Sequence, residues 1–438
     1  MAFFLWLALS LAPAPGSTGP SSGNLTVQSS TNLVKQAQEA YARGDKVTFL
    51  SVYQELVRRR PGDVSILYNL ACAQALNNRA DAAIRTLEEI LAQRVSFAIE
   101  RDSDFDAIRQ THGYHRVVDR MSQLRQSRIS AGAVRAFTIP ERGLVAEGVA
   151  YDPVTKAFFV SSVRHRKIVR IDRGGKITEL VSPARDGLRS ALGMAVDAKR
   201  RTLWVASQAI PSMDGYEKEQ PRGAAVFEYD VDSGRLREEH AAPGEGESAP
   251  GFDDLTLAPD GTVYVNDGFH SRIWRIPPRG RLEVFLTSDA LGGTQGLAVS
   301  SDGRTLYASD YRGLFSVHVA TRRLTPIRVP PDLSLNGIDG LASFGNSLVA
   351  IQNGIVPHRV IRLDLAANRV AISRARILEI NHPDFDEPTL GVVVDGALYF
   401  SADSQGQKFL DEKKPIGEAE MREAVILKLS LSRSARAR

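Results

Sequence analysis

The chain has 438 residues, of which 43% are hydrophobic and 24% are charged, with 55 Lys and Arg against 51 Asp and Glu. This composition excludes a largely disordered chain, and a net charge of +4 does not favour a surface that binds nucleic acid. The single cysteine, Cys72, excludes an intramolecular disulfide and a cysteine-rich zinc site.

The N-terminal segment carries an apolar run from Ala2 to Ala12, interrupted by Ser10 and followed by Pro and Gly. The run is too short to span a bilayer, and it resembles the hydrophobic region of a secretory signal peptide. We therefore expect residues 1–16 to be a signal peptide and residues 17–31 to be a flexible linker. The mature protein is expected to be exported, to the periplasm or the extracellular space, without a transmembrane span.

Residues 32–128 show apolar side chains at helical spacing, and the pattern returns after 34 residues, so that Ala37 matches Ala71 and Tyr53 matches Leu87. Paired helices with this period resemble the tetratricopeptide repeat (TPR). The segment is predicted to be a small TPR-like solenoid closed by Phe105 and Ile108. It would either bind a protein partner in its groove or pack on the next domain. Cys72 is predicted to be a buried structural thiol.

From residue 133 to residue 432 the apolar period changes to two, and a longer repeat of apolar strands with Gly and Asp-Gly turns appears in six copies. The first strands of these copies open at Glu147, Leu192, Asp253, Gln295, Asp339 and Thr389. Short strands at regular spacing predict a six-bladed β-propeller, so the fold class is mainly β with an N-terminal helical solenoid. The strand 133–139 is expected to complete the last blade, and residues 433–438 form a basic tail.

This six-copy pattern resembles the senescence-marker-protein/gluconolactonase superfamily over residues 133–432. In the enzymes of that superfamily a divalent cation, often calcium, lies on the propeller axis. The resemblance assigns the ligand positions to Glu147, Asp253, Gln295 and Asp339. The Glu-Gly and Asp-Gly pairs at residues 147 and 339 are kept, whereas Asp253 and Gln295 stand where the superfamily has Asn.

The geometry of a propeller supports the same positions, because residues that open the inner strands converge on the axis. Carboxylates gathered there would repel one another unless a cation joined them. Oxygen ligands suit Ca²⁺, Mg²⁺ or Mn²⁺, and the absence of His and Cys from these four positions disfavours zinc. The alternative is that these side chains only hold neighbouring blades together by hydrogen bonds.

The longest insertions all fall in loops on the face where the inner strands begin, which indicates a pocket on that face. They are residues 208–223, 240–252, 353–358, 381–388 and 403–422. Loops of the same face carry His165, His240, His270, His358 and His382. Among them His165 and His270 are the candidates for a catalytic base, and by resemblance Asp339 acts as both ligand and base. Asp386 and Glu387 are expected to add charge to the rim.

The sequence therefore predicts an exported, divalent-metal-dependent hydrolase whose substrate is a small lactone or ester. The alternative is a non-catalytic propeller that binds a ligand or a protein, with the TPR-like segment holding a partner. The Asn-Asp-Gly and Asn-Gly motifs at residues 266–268 and 353–354 are interpreted as turns rather than sites.

Overall fold

The computed structural model describes residues 30–217, 221–244, 248–410 and 416–432. The predicted signal peptide, most of the predicted linker and the basic tail lie outside these residues. The chain folds into two compact units, a first up to Arg125 together with Pro331–Ser334, and a second that comprises the rest from Gln126. Within the described ranges, none of the helices has the length and apolar character needed to cross a membrane.

The first unit is helical. Its helices are α1 (Ser30–Ala42), α2 (Lys46–Arg59), α3 (Val64–Leu76) and α4 (Ala80–Ala92), followed by short 3₁₀ segments and by α5 (His112–Gln126), whose last residue falls in the second unit. The carboxylates of Asp45 and Asp63 cap α2 and α3 by accepting hydrogen bonds from backbone N–H groups of the first turn. Helix α3 is buried on most of its surface because it packs between α2 and α4.

The helical order agrees with the period seen in the sequence, since α3 begins 34 residues after α1 and α4 begins 34 residues after α2. Phe105 and Ile108 are buried in the 3₁₀ segment Ser103–Ile108, which contacts α3. Cys72 is also buried, and burial raises the pKa of its thiol. An inert structural thiol is therefore supported. The TPR class and its partner remain predictions.

The described part of the second unit is built almost entirely of strands. The first half contains β1 (Ile129–Ser130), β2 (Val134–Arg142), β3 (Ala146–Asp152), β4 (Ala157–Ser162), β5 (Lys167–Ile171), β6 (Ile177–Val181), β7 (Ser190–Asp197), β8 (Thr202–Gln208), β9 (Ala225–Asp230), β10 (Leu236–Ala241), β11 (Leu255–Leu257), β12 (Val263–Asn266), β13 (Arg272–Ile276) and β14 (Glu283–Thr287). The second half contains β15 (Thr294–Val299), β16 (Thr305–Asp310), β17 (Gly313–His318), β18 (Arg323–Pro326), β19 (Ile338–Phe344), β20 (Ser347–Gln352), β21 (Arg359–Leu365), β22 (Ile372–Ile380), β23 (Gly391–Val394), β24 (Ala397–Ser401), the short helix α6 (Gly406–Phe409) and β25 (Glu423–Ser430).

These strands form six antiparallel sheets arranged as the blades of a propeller, as predicted. Blades 1 to 4 are β3–β6, β7–β10, β11–β14 and β15–β18; blade 5 is β19–β22 with β1 at its edge, and blade 6 is β23–β25 with β2 at its edge. Each inner strand contacts the inner strand of the next blade, and β23 contacts β3, so the ring is closed. The predicted closure is confirmed, because β2 pairs with β25.

Apolar side chains fill the spaces between neighbouring blades, and hydroxyl groups at the ends of the second strands connect the blades to one another. Ser161 Oγ donates to the carbonyl oxygen of Leu192 in the next blade at 2.7 Å. Ser401 Oγ makes the equivalent bond to the carbonyl oxygen of Ala146 at 2.9 Å, across the ring closure. The small polar residues that end the second strands of the repeat are therefore cross-links between blades.

The glycine after Glu147 is required by the close approach of two inner strands. A Cβ at Gly148 would clash with the carbonyl oxygen of Leu192 in blade 2. We expect Gly148→Ala to lower the free energy of unfolding by about 1–3 kcal/mol, because the backbone of one strand must move. Gly313→Ala is the matched control, since a Cβ there meets nothing within 4 Å. Equal thermal stability of the two variants would contradict this packing role.

Candidate active site

The four predicted ligand positions lie at the same end of four inner strands. Glu147, Gln295 and Asp339 are the second residues of β3, β15 and β19, and Asp253 lies two residues before β11. Because these strands belong to one closed ring, their first residues face the axis from blades 1, 3, 4 and 5. The structure therefore brings to one end of the ring residues that are 192 positions apart in the chain, from 147 to 339.

Burial is the main cause of the raised pKa values of the axial carboxyl groups, and the charges of neighbouring carboxyl groups add to it at Glu147, Asp253 and Glu387. Burial, followed by the charges of Asp339, Glu387 and Asp253, raises the pKa of Glu147 well above its usual range. Burial raises the pKa of Asp339 to about 6, against the effect of a hydrogen bond from Asn353. Burial is also the main cause that raises the pKa of Asp253 and that of Glu387 to about 7. The largest charge effects on Glu147 come from other carboxyl groups, so the site is acidic and disfavours full ionisation.

Amide side chains hold two of these carboxylates in place. Gln208 Nε2 donates to Asp253 Oδ1 at 2.5 Å, and Asn353 Nδ2 donates to Asp339 Oδ2 at 2.6 Å. Gln208 Oε1 is buried and has no hydrogen-bond partner among the described residues. It is a free acceptor on the side chain that holds Asp253.

Asn266 and Gly268 shape the wall of the site around Asp253. Asn266 Oδ1 accepts from the backbone N–H of Asp253 at 2.8 Å, and Asn266 Nδ2 donates to the carbonyl oxygen of Thr294 in blade 4. A Cβ at Gly268 would clash with Asp253 Oδ2 and would lie 3.8 Å from Gln295 Nε2. The motif at residues 266–268 thus fixes the position of a candidate ligand as well as making a turn.

Tyr311 was not predicted from the sequence. It follows β16 directly, and burial together with the charges of Asp339, Asp253, Glu387 and Glu147 raises the pKa of its hydroxyl. The residue as a whole is nevertheless 44% exposed. Asn353 follows β20 in the same way. Tyr311 and Asn353 could therefore have been proposed as site residues from the sequence, since each directly follows the second strand of a blade.

The two candidate catalytic histidines are held by carboxylates other than the axial ones. His165 Nδ1 lies 2.7 Å from Glu141 Oε1, which comes from β2. His270 Nδ1 lies 3.1 Å from Asp267 Oδ1, a fully buried carboxylate. Both histidines are in loops of the expected face. Their role as bases stays a prediction.

The observed strand bounds place the five insertions between second and third strands or between blades, as expected. His358 lies in the β20–β21 loop, where burial lowers the pKa of its imidazole against the effect of Asp386. Glu387, which was expected to add charge to the rim, is half-buried, and its charge is among those that raise the pKa of Glu147.

The raised pKa values predict how stability depends on pH. Burial raises the pKa of Asp253 to about 7 and that of the adjacent Asp254 to about 8, from an ordinary value of 3.8. The native state therefore binds more protons than the unfolded state between about pH 4 and pH 8. The stability contributed by these groups is present below pH 4 and is lost as the pH rises through their folded pKa values. We expect the melting temperature of chelator-treated protein to fall from pH 5 to pH 8, and to fall less in Asp253→Asn. Parallel curves for the two proteins would contradict this assignment.

No family model matches the sequence, and no curated protein matches it. Comparison of the fold finds solved propellers instead. A gluconolactonase from Xanthomonas campestris is 17% identical, with 68% of this chain and 89% of that chain covered and a TM-score of 0.46. A virginiamycin B lyase from Staphylococcus aureus is 15% identical, with 68% and 99% covered and a TM-score of 0.46. An aldose sugar dehydrogenase from Streptomyces coelicolor, in a PQQ-bound form, is 15% identical, with 68% and 98% covered and a TM-score of 0.46.

The likeness is one of fold. At these identities and TM-scores it extends to the propeller architecture and assigns no reaction to the chain.

Proposed function

We propose that the protein is an exported hydrolase of lactone or ester bonds, with its active site on the propeller axis. The observation that carries this proposal is the convergence of Glu147, Asp253, Asp339 and Glu387. Burial raises the pKa of all four, and the charges of other carboxyl groups add to the increase at Glu147, Asp253 and Glu387. Carboxyl groups that titrate near neutral pH are suited to accept and return protons during hydrolysis.

A divalent cation, Ca²⁺ in the first place and Mg²⁺ or Mn²⁺ otherwise, is part of this proposal. The donor set is suitable, because Glu147, Asp253, Gln295 and Asp339 all offer oxygen and the site has an excess of negative charge. The unpaired oxygen of Gln208 beside Asp253 is a further acceptor. Two groups of three His, Cys, Asp or Glu in the described chain bring ligand atoms within 4.8 Å of one another, and neither includes an axial carboxylate. Binding would therefore require the axial side chains to move closer together.

When bound, such a cation would polarise the substrate carbonyl and offset the charge of the carboxylates. Asp339 is the proposed base, since a carboxyl with a pKa of about 6 is mostly ionised at pH 7 and can take a proton from an attacking water. Asn353 orients this carboxylate. Tyr311 keeps its proton because its pKa is raised, so its hydroxyl can donate a hydrogen bond to the developing oxyanion. The proton taken by Asp339 returns to the leaving alkoxide as the carbon–oxygen bond breaks.

A panel of aldonolactones, simple γ- and δ-lactones and aryl esters tests the proposal, measured with the purified protein before and after treatment with EDTA. We expect hydrolysis of at least one class, loss of activity with EDTA, and recovery with Ca²⁺, Mg²⁺ or Mn²⁺. Binding of a lactone without hydrolysis, under all of these conditions, would overturn the proposal and support the alternative of a ligand-binding propeller.

A further inference from the structure

Three side chains of metal-binding type share one face of the outer half of blade 2. Glu228 on β9 lies directly opposite Glu238 on β10 in the antiparallel register. His240 is two residues further along β10, so its side chain lies on the same face as that of Glu238. None of the three belongs to the inner strands that form the axial site.

The ligand atoms of these side chains are close together. His240 Nε2 lies 3.9 Å from Glu228 Oε2, and His240 Nδ1 lies 3.8 Å from Glu238 Oε1. One ligand atom from each residue lies within 4.8 Å of those of the other two. Bonds of about 2.1 Å in a tetrahedral zinc site place ligand atoms roughly 3.4 Å apart. Small side-chain rotations would therefore bring this set to a metal-binding geometry.

A second observation, the surroundings of the His240 ring, points to a ligand at this cluster. His240 is only 6% exposed, and its Nε2 has no hydrogen-bond partner in the described chain. A buried ring nitrogen without a partner is costly, and the nearest carboxylate oxygen is beyond hydrogen-bond distance. A metal ion bound by this nitrogen would remove that cost.

Among the described residues, Arg237 is the one Lys or Arg that forms an ion pair with either carboxylate. Like charges directly opposite each other in a strand pair are unfavourable. The nearest arginine, Arg237, lies 3.8 Å from Glu228 Oε1, but its guanidinium donates instead to Thr202 Oγ1 at 2.7 Å and to Asp230 Oδ2 at 2.6 Å. Glu228 Oε2 is thus left facing His240.

We propose that Glu228, Glu238 and His240 bind a divalent transition-metal ion, of which Zn²⁺ fits the donors best. An imidazole with two carboxylates is a set of three protein ligands that leaves a fourth position for water. The imidazole nitrogen disfavours Ca²⁺ and Mg²⁺, which prefer oxygen ligands. The bound ion would link β9 to β10 and stabilise the outer edge of blade 2.

Trp204 provides a spectroscopic probe of this site. It lies opposite Glu228 on β8, and its ring centroid is 5.6 Å from that of the His240 imidazole. A paramagnetic ion such as Co²⁺ bound to His240 would quench its fluorescence. Trp204→Phe shows which part of the quenching arises at this site and which at Trp6 and Trp274.

The test uses the full chain after removal of metals by chelation, titrated with Zn²⁺ and with Co²⁺ in separate experiments. We expect Zn²⁺ to raise the melting temperature and Co²⁺ to quench Trp204. We expect Glu238→Gln to weaken Zn²⁺ binding about 10-fold or more. Its side chain is 59% exposed, so this variant should fold normally. Glu239→Gln is the matched control, because the neighbouring side chain points to the other face and should leave Zn²⁺ affinity unchanged.

Asp339→Asn separates this site from the axial one, since it removes an axial carboxylate and should retain the Zn²⁺ affinity and the Co²⁺ quenching of Trp204. A Zn²⁺ affinity of Glu238→Gln equal to that of the unmodified protein would overturn the proposal. So would the absence of any Co²⁺ effect on Trp204 fluorescence. Neither result depends on whether the axial site is catalytic.

Discussion

Replacing Asp339 with Asn is expected to lower kcat/KM for lactone or ester hydrolysis by about 10²- to 10⁴-fold, the range over which a positioned general base contributes. Asn has nearly the same shape, but it cannot take a proton from water. The pH profile supplies a second measurement. In the unmodified protein kcat/KM should rise with pH as Asp339 ionises, below the pKa of about 6 that this carboxyl has without a cation, and the residual activity of the variant should lack this rise.

Asp395→Asn is the matched control for this experiment. Asp395 is an exposed carboxylate in the turn between β23 and β24, at the other end of an inner strand, and Asn tolerates its positive φ. Its activity and pH profile should equal those of the unmodified protein. If Asp339→Asn keeps full activity with an unchanged pH profile, Asp339 is not the base, and His165 and His270 become the next candidates.

The proposed axial metal site and the proposed metal site in blade 2 should respond differently to added metal ions. The axial site offers oxygen ligands from inner strands, whereas the blade 2 site offers an imidazole and two carboxylates from outer strands. Chelation followed by addition of Ca²⁺ should therefore restore hydrolysis. Addition of Zn²⁺ should raise the melting temperature, and addition of Co²⁺ should quench Trp204 fluorescence. One protein can show both responses without sharing a ligand.

The propeller could be predicted from the sequence because each blade is local. Consecutive strands pair within a blade, so period-two patterns separated by Asp and Gly turns are enough to define the six sheets. The ring closure by β2 and β25 joins distant residues, and it was predicted by counting strands. The two-residue strand β1 was missed, since a segment as short as Ile129–Ser130 has no periodicity to detect.

The axial residues could be predicted from the sequence because they occur at the same position of the repeat in different blades. Glu147, Gln295 and Asp339 each occupy the second position of an inner strand. Gln208 ends β8 and Tyr311 directly follows β16. The direction of their side chains depends on how the ends of these second strands approach the axis, which the sequence does not define. The contact of His165 with Glu141 could not be predicted from the sequence. The length of the loop indicates on which face of the propeller His165 lies, but not that its imidazole contacts the carboxylate of Glu141.

Glu379→Ala is expected to lower the free energy of unfolding by about 2–4 kcal/mol, or roughly 5–10 °C in melting temperature. This loss is larger than the one expected for Gly148→Ala. Glu379 is fully buried at the edge of blade 5. Its Oε1 accepts hydrogen bonds from the backbone N–H groups of Ala131 and Ala133, at 3.0 and 2.9 Å, and from Ser130 Oγ at 3.0 Å. These donors lie in the segment that joins β1 in blade 5 to β2 in blade 6. Removal of the carboxylate takes this acceptor from the Ala133 N–H and the Ser130 hydroxyl where the ring closes, whereas the Ala131 N–H keeps its bond to the carbonyl oxygen of Leu378.

Two further variants show whether these hydrogen bonds are the cause. Glu379→Gln keeps an oxygen acceptor and should lose about half as much stability as the Ala variant. Glu283→Ala removes an exposed carboxylate that pairs with Arg275, and should change the melting temperature by only about 1–2 °C, as surface ion pairs contribute little. A melting temperature of Glu379→Ala equal to that of Glu283→Ala would show that β2 stays bound to β25 without this anchor. In that case the pairing of β2 with β25 is enough to close the ring.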